Sequence, residues 1–242
     1  MLSEADLRQL EQNLGRIRER IVAAAMGSGR DPGEVSLVAI TKYTGPAVAA
    51  GLLRLGQADL GENRVDHLIH LDEALERATP GPQWHMVGHL QRNKAHKVVD
   101  RISVLHSLDS PELAQRLDAR RSPDLPPLLV YAEVRLSEDE QQRSGVAPDA
   151  LPALLEALRG LERLRVAGLM GLPPQGAPAE ARPHFQRLRG LRDQALAAGL
   201  LAEGGLSMGM TSDLEVAVAE GSTCVRIGQA LLSGLSEEAL GG

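Results

Sequence analysis

Leu7, Leu10, Leu14, Ile17 and Ile21 recur at alternating spacings of three and four behind Ser3, which predicts an amphipathic helix with a serine N-cap. The pattern lasts about two heptads, short of the three or four of a coiled coil, so this helix is expected to pack on its own domain. After a Gly/Pro-rich turn at residues 27–33, short apolar runs alternate with helical patterns. Strands are predicted at residues 35–40, 58–61, 84–87, 102–105, 128–134, 164–169, 205–207 and 223–227, the seventh mainly from its place in the series. Pro46 opens a helix carrying Val48, Leu52 and Leu55 and ended by Gly56, and Val65, Leu68, Ile69 and Leu75 mark the next. Ser110-Pro111-Glu112 reads as N-cap, first-turn proline and first-turn acid. Further helices are predicted over residues 93–99, around Leu151, Leu154, Leu155 and Leu158, over 185–198, over about 212–220 and in a short tail.

Eight strands alternating with helices, without a composition shift, predict an α/β fold: a single (β/α)8 TIM barrel over residues 1–242 with an extra N-terminal helix. A doubly wound open sheet is the alternative. Residues 172–183, rich in Pro, Gly and Ala, form the longest loop candidate and are too short for an interdomain linker.

Composition narrows the function classes. Hydrophobic residues make up 43% and charged residues 24% of the 242, which is ordinary for a globular protein. Aromatic residues are only 2%, so stacking platforms for single-stranded nucleic acid are not expected, and a net charge of −6 argues against a general polyanion binder. Among 26 basic residues only Lys42, Lys94 and Lys97 are lysines. The lone Cys224 allows no internal disulfide and fits a reducing compartment. The N-terminal residues are polar and periodic, and no stretch approaches the ~20 apolar residues of a membrane span, so a cytoplasmic protein without a membrane partner is expected.

In a barrel of this kind the site is built at the C-terminal ends of the strands. Strand one ends in Ala39-Ile40-Thr41-Lys42. That places a lysine at the mouth, at the edge of an apolar environment that would favour the neutral amine needed for Schiff-base chemistry. A solvated lysine is the plainer reading; its position past a buried strand, in a chain that otherwise uses arginine, argues against it. Strand seven runs into residues 207–213, where Ser207, Gly209, Thr211 and the start of a helix offer hydroxyls and backbone N–H groups to a phosphate. Strand eight ends in Arg226-Ile227-Gly228-Gln229, a fixed cation followed by a glycine that lets the backbone approach a ligand. Gly88 interrupts the pair His85/His89 across a strand-to-loop junction, and His67/His70 lies on a helix with no nearby cysteine or clustered carboxylates to complete a zinc set, so structural or supporting roles are expected and no metal. Arg92, Lys94, His96 and Lys97 read as a solvated helix face, with an anion at the mouth as the alternative partner.

These residues resemble one family. The segments are Leu37 to Lys42, Gly61-Glu62-Asn63, Trp84 to Gly88 with Leu90-Gln91 and Asn93-Lys94, His106 to Asp109, Gly168-Leu169-Met170, Ser207 to Met210 with Asp213, and Val225 to Gly228. In order and over nearly the whole chain, they are similar to the pyridoxal 5′-phosphate homeostasis proteins, built like the N-terminal domain of alanine racemase. The resemblance implies pyridoxal phosphate (PLP) held as a Schiff base on Lys42. It implies that Arg226 faces the pyridine nitrogen, that Asn63 and Met170 neighbour the ring, and that Ser207, Gly209, Thr211, Gly228 and Gln229 surround the phosphate. Thr211 stands where the family usually has serine, and Arg143 where lysine is frequent. An arginine cannot accept a proton from the ring nitrogen, so the cofactor would be a weak electron sink. The chain is also too short for the second domain that gives racemases a tyrosine base. The implied role is a PLP carrier that buffers or delivers the cofactor, without catalytic residues, acting as a monomer with PLP-dependent apo-enzymes as recipients. A racemase on the same cofactor and a Schiff-base aldolase are the enzymatic alternatives.

Overall fold

Each apolar run is followed by a helix, and crossovers of that kind lay successive strands parallel. In the computed structural model, which describes residues 1–137, 144–174 and 176–241, eight such strands close into a barrel in chain order. They are β1 (Ser36–Ile40), β2 (Asp59–Glu62), β3 (Gln83–Met86), β4 (Ile102–Leu108), β5 (Leu128–Glu133), β6 (Leu164–Met170), β7 (Gly205–Ser207) and β8 (Cys224–Ile227). β8 returns to β1, pairing Leu37 with Val225 and Val38 with Arg226, and this closure excludes the open sheet. The helices are α1 (Glu4–Gly27), α2 (Pro46–Arg54), α3 (Val65–Ala74), α4 (Ala95–Val98), α5 (Pro111–Arg120), α6 (Leu151–Leu158), α7 (Pro178–Ala197), α8 (Leu214–Ala219), α9 (Gln229–Leu232) and α10 (Glu237–Leu240).

The caps read from sequence are present: the Ser3 hydroxyl accepts the Asp6 N–H at 3.1 Å and the Ser110 hydroxyl that of Leu113 at 3.4 Å. Two elements differ from expectation. β4 runs three residues further, to Leu108, because His106 and Ser107 find hydrogen-bond partners and stay in the strand. α7 starts at residue 178 rather than 185, because Glu180 reaches back to accept the Ala177 N–H at 3.0 Å, and Pro183 is carried inside the helix. The expected long loop is shortened accordingly.

α1 lays its buried Leu10, Leu14, Ile17 and Ile21 against the barrel, touching α8 and α9. Asn13 Nδ2 donates to the carbonyls of Leu231 (2.8 Å) and Ser233 (2.7 Å), and Arg20 donates to that of Thr211 (2.9 Å). The shell between strands and helices is aliphatic, with Trp84 and Phe185 the largest fully buried side chains. Among the described residues no helix is long and apolar enough to cross a membrane.

Gly168 is paired with Gly205 across β6 and β7 at φ +150°, and a Cβ there would lie 1.9 Å from the Gly205 carbonyl oxygen. Gly168→Ala therefore forces the two strands apart. We expect it to cost about 3 kcal/mol or more in urea unfolding; an unchanged midpoint would show that the barrel yields at this point.

Candidate functional site at the barrel mouth

Strand ends bring the predicted residues to one rim. Lys42 follows β1, Asn63 follows β2, Met170 ends β6, Ser207 ends β7, and Gly209 and Thr211 lie on the loop beyond it. Arg226 lies within β8, with Gly228 and Gln229 just past its end. Met170 is buried, in register with Glu133 on one side and Ser207 on the other.

The loop bearing Lys42 is braced at its base. Thr41 Oγ1 donates to Glu62 Oε1 at 2.7 Å, and Thr44 Oγ1 to the Thr41 carbonyl at 2.8 Å. His67 Nε2 faces the Thr44 carbonyl at 3.1 Å and therefore carries hydrogen, while its Nδ1 meets Glu62 Oε2 at 3.1 Å. The lysine itself is exposed, with Nζ 5.6 Å from the centre of the Tyr43 ring, rather than at the apolar edge expected from sequence. Tyr43 adopts φ +68°, which turns the chain sharply just past the lysine.

The loops after β7 and β8 are tied together. Gly209 has φ +100° and packs so close that a Cβ would lie 2.6 Å from that of Ala217. Its carbonyl accepts the Arg226 N–H at 3.0 Å, and Thr211 Oγ1 accepts the Ala230 N–H at 3.4 Å. One N–H of the expected cradle is already engaged, since Met210 donates to Asp213 Oδ1 at 2.5 Å. Gly228 and Thr211 are half-buried and Gln229 is exposed.

Inside the barrel runs a polar column that the sequence reading missed. Arg226 Nη1 donates to Ser207 Oγ (2.5 Å), which contacts His106 Nδ1 (2.7 Å). His106 Nε2 meets His85 Nδ1 (2.9 Å), and His85 Nε2 meets Asp59 Oδ1 (3.0 Å). The Ser207 hydroxyl is thus engaged below the mouth rather than on the loop. Burial, followed by the neighbouring His85 and Arg226, holds His106 well below the ordinary imidazole range, so it is neutral. Tyr131 stacks on its ring at 4.9 Å. Burial likewise raises Glu133, which accepts from the Ser144 hydroxyl at 2.6 Å. The signal for these residues was a polar side chain interrupting an apolar strand, as in Val104-Leu105-His106-Ser107-Leu108 and Tyr131-Ala132-Glu133-Val134.

Among the described residues, the buried side-chain polar atoms without a hydrogen-bond partner are Asn63 Oδ1, Glu133 Oε2 and Arg226 Nη2. All three belong to residues at or near the strand ends that face the mouth. His89 pairs with Asp109 at 3.4 Å and Lys94 with Asp66 at 3.0 Å, while Arg92, His96 and Lys97 are exposed. Among the described residues no group of three or more His, Cys, Asp or Glu could hold a metal ion. Arg143 lies outside the described residues.

Residues 5–236 match the family model of the alanine racemase N-terminal domain. The pyridoxal phosphate homeostasis protein of Pseudomonas aeruginosa is 40% identical, over 92% of this chain and 94% of its own. That of Escherichia coli K12 is 36% identical, over 93% and 96%. PipY of Synechococcus elongatus, solved with PLP bound, superposes with a TM-score of 0.80 at 33% identity, over 92% of this chain and 99% of its own.

Burial on folding raises Glu133 above its ordinary value. Its contribution therefore favours the fold below that value and is lost as pH rises through the raised one. Glu133→Gln is expected to match the parent at about pH 4 and to exceed its stability at about pH 7. The check is urea unfolding of both proteins across that range; a pH-independent difference would overturn it.

Proposed function

The chain belongs to the family of pyridoxal phosphate homeostasis proteins, built on the alanine racemase N-terminal domain, and we propose that it binds PLP at the barrel mouth and buffers or delivers it. The observation that carries this reading is the set of unpartnered polar atoms. Arg226 Nη2 is a buried donor and Asn63 Oδ1 a buried acceptor, both left open where the mouth would take a heteroaromatic ligand. Leaving such atoms unpaired costs about 1–3 kcal/mol each, and a ligand of complementary pattern relieves it. Pyridoxal phosphate, when bound, supplies an aldehyde that condenses with a primary amine.

The chain's own residues then divide the work. Lys42 offers the amine from an exposed side chain on a braced loop. Arg226 would hold the ring nitrogen through its free Nη2, and having no lone pair it could not take a proton from it. Asn63 and Met170 would flank the ring, and Gly209, Thr211, Gly228 and Gln229 would surround the phosphate. Ser207 works one layer lower, fixing Arg226. With a weak electron sink, the protein has a holding role rather than catalytic turnover. We extend the proposal to a single-domain, cytoplasmic monomer with PLP-dependent apo-enzymes as recipients; the single buried Cys224 is in keeping with a reducing compartment.

Adding pyridoxal 5′-phosphate to the purified protein is expected to produce a visible absorption band. Borohydride should fix the adduct on Lys42, as located by mass spectrometry, and Lys42→Ala should abolish the band. A colourless protein at millimolar cofactor would overturn the proposal. Incubation with L-amino acids in heavy water is expected to give neither D-enantiomer nor sustained α-proton exchange, and turnover in that assay would make it an enzyme.

A further inference from the structure

We propose that Asp59, His85 and His106 are positioning residues for Arg226: with Ser207 they form a hydrogen-bond relay, from the lower rim of the barrel to its mouth, that holds the guanidinium with Nη2 free. This rests on the reading in which Arg226 meets the ring nitrogen of PLP.

The chemistry at the two ends fixes the outer bonds, and the relay we propose assigns the inner ones to match. A guanidinium can only donate, so Ser207 Oγ accepts from Arg226 Nη1. A carboxylate can only accept, so His85 Nε2 carries hydrogen and donates to Asp59 Oδ1. Within the relay His85 Nδ1 is the acceptor and receives the hydrogen of His106 Nε2. That leaves His106 Nδ1 as an acceptor, and it takes the hydroxyl hydrogen of Ser207. All four bonds point away from Arg226, and each makes the next group a better acceptor for the one above it.

Geometry restrains the groups of the relay. His106 is fully buried and its ring is stacked on Tyr131, so it has neither water nor room to turn. Arg226 is 5% exposed, and with Nη1 held by Ser207 its remaining Nη2 is the unpartnered donor. At the other end Asp59 is the first residue of β2, and its side chain is 45% exposed. It lines a cleft of ≈ 480 Å³ with Arg18, Ser36 and Gln57. Asp59 thus stands on the opposite face of the barrel from the mouth, yet sets the orientation of the group that faces it.

Long-range ¹H–¹⁵N correlation spectra of the ligand-free protein test the relay by itself. His85 and His106 are expected as neutral Nε2–H tautomers, with separate Nη signals for a guanidinium of restricted rotation at Arg226. Asp59→Leu should give mixed tautomers and averaged Arg226 signals. Asp59→Asn, whose carbonyl still accepts, should restore the parent pattern. With pyridoxal 5′-phosphate added, Asp59→Leu is expected to shift the visible maximum and weaken binding about tenfold, and Asp59→Asn to recover both. An Nδ1–H tautomer at His106 in the parent, or an Asp59→Leu variant with parental tautomers and spectrum, would overturn the relay. Loss of colour in the parent itself would instead overturn cofactor binding, and the tautomers would still decide the relay.

Discussion

A guanidinium enclosed by a ring of strands is the constraint on which the interior of this protein depends. Removing an ion from water costs several kcal/mol even after relaxation, and Arg226 sits at 5% exposure within β8. An aliphatic barrel could not hold it. The strands therefore carry Ser207, His106, His85 and Asp59 inward as a hydrogen-bonded column, and Glu133 lies close enough for its charge to favour the cation. The same burial acts on each member according to its type: it lowers Arg226 and His106 and raises Glu133 and the Cys224 thiol.

Around that column the mouth combines rigid and open parts. Thr41, Glu62, His67 and Thr44 lock the base of the first loop, and the loops after β7 and β8 hold one another through Gly209, Thr211 and Ala230. Against this frame Lys42 projects freely into solvent. An amine on a fixed base can reach a ligand and let it go without rearranging the barrel, in keeping with the proposed holding and release of a cofactor.

The strand series, the helix caps and the positions of Lys42, Ser207 and Arg226 at or near strand ends were legible because each depends on local pattern: periodicity, capping chemistry, and the rule that strand ends share a face. What stayed hidden depends on contacts between distant strands. His85 and His106 are 21 residues apart, and His106 and Ser207 are 101 apart. No spacing rule joins them, so His85 was weighed only against its neighbour His89. The exposure of Lys42 was hidden for a different reason. Its environment is set by the backbone turn at Tyr43, a non-glycine residue at positive φ that composition does not announce. The early start of α7 was masked by Pro183, which the helix tolerates once Glu180 has capped it.

The grip of α1 on the far end of the chain also bears on how the molecule comes into being. Asn13 holds the carbonyls of Leu231 and Ser233, and Arg20 that of Thr211, across separations of 191 to 220 residues. During synthesis the clamp emerges first and the loops it clamps emerge last. The newborn chain must wait until those loops have left the ribosome before the last strand of the barrel can dock and the ring can shut. Contacts of such long range make for slow folding, and the loops that surround the proposed phosphate position are made about 200 residues after the helix that holds them.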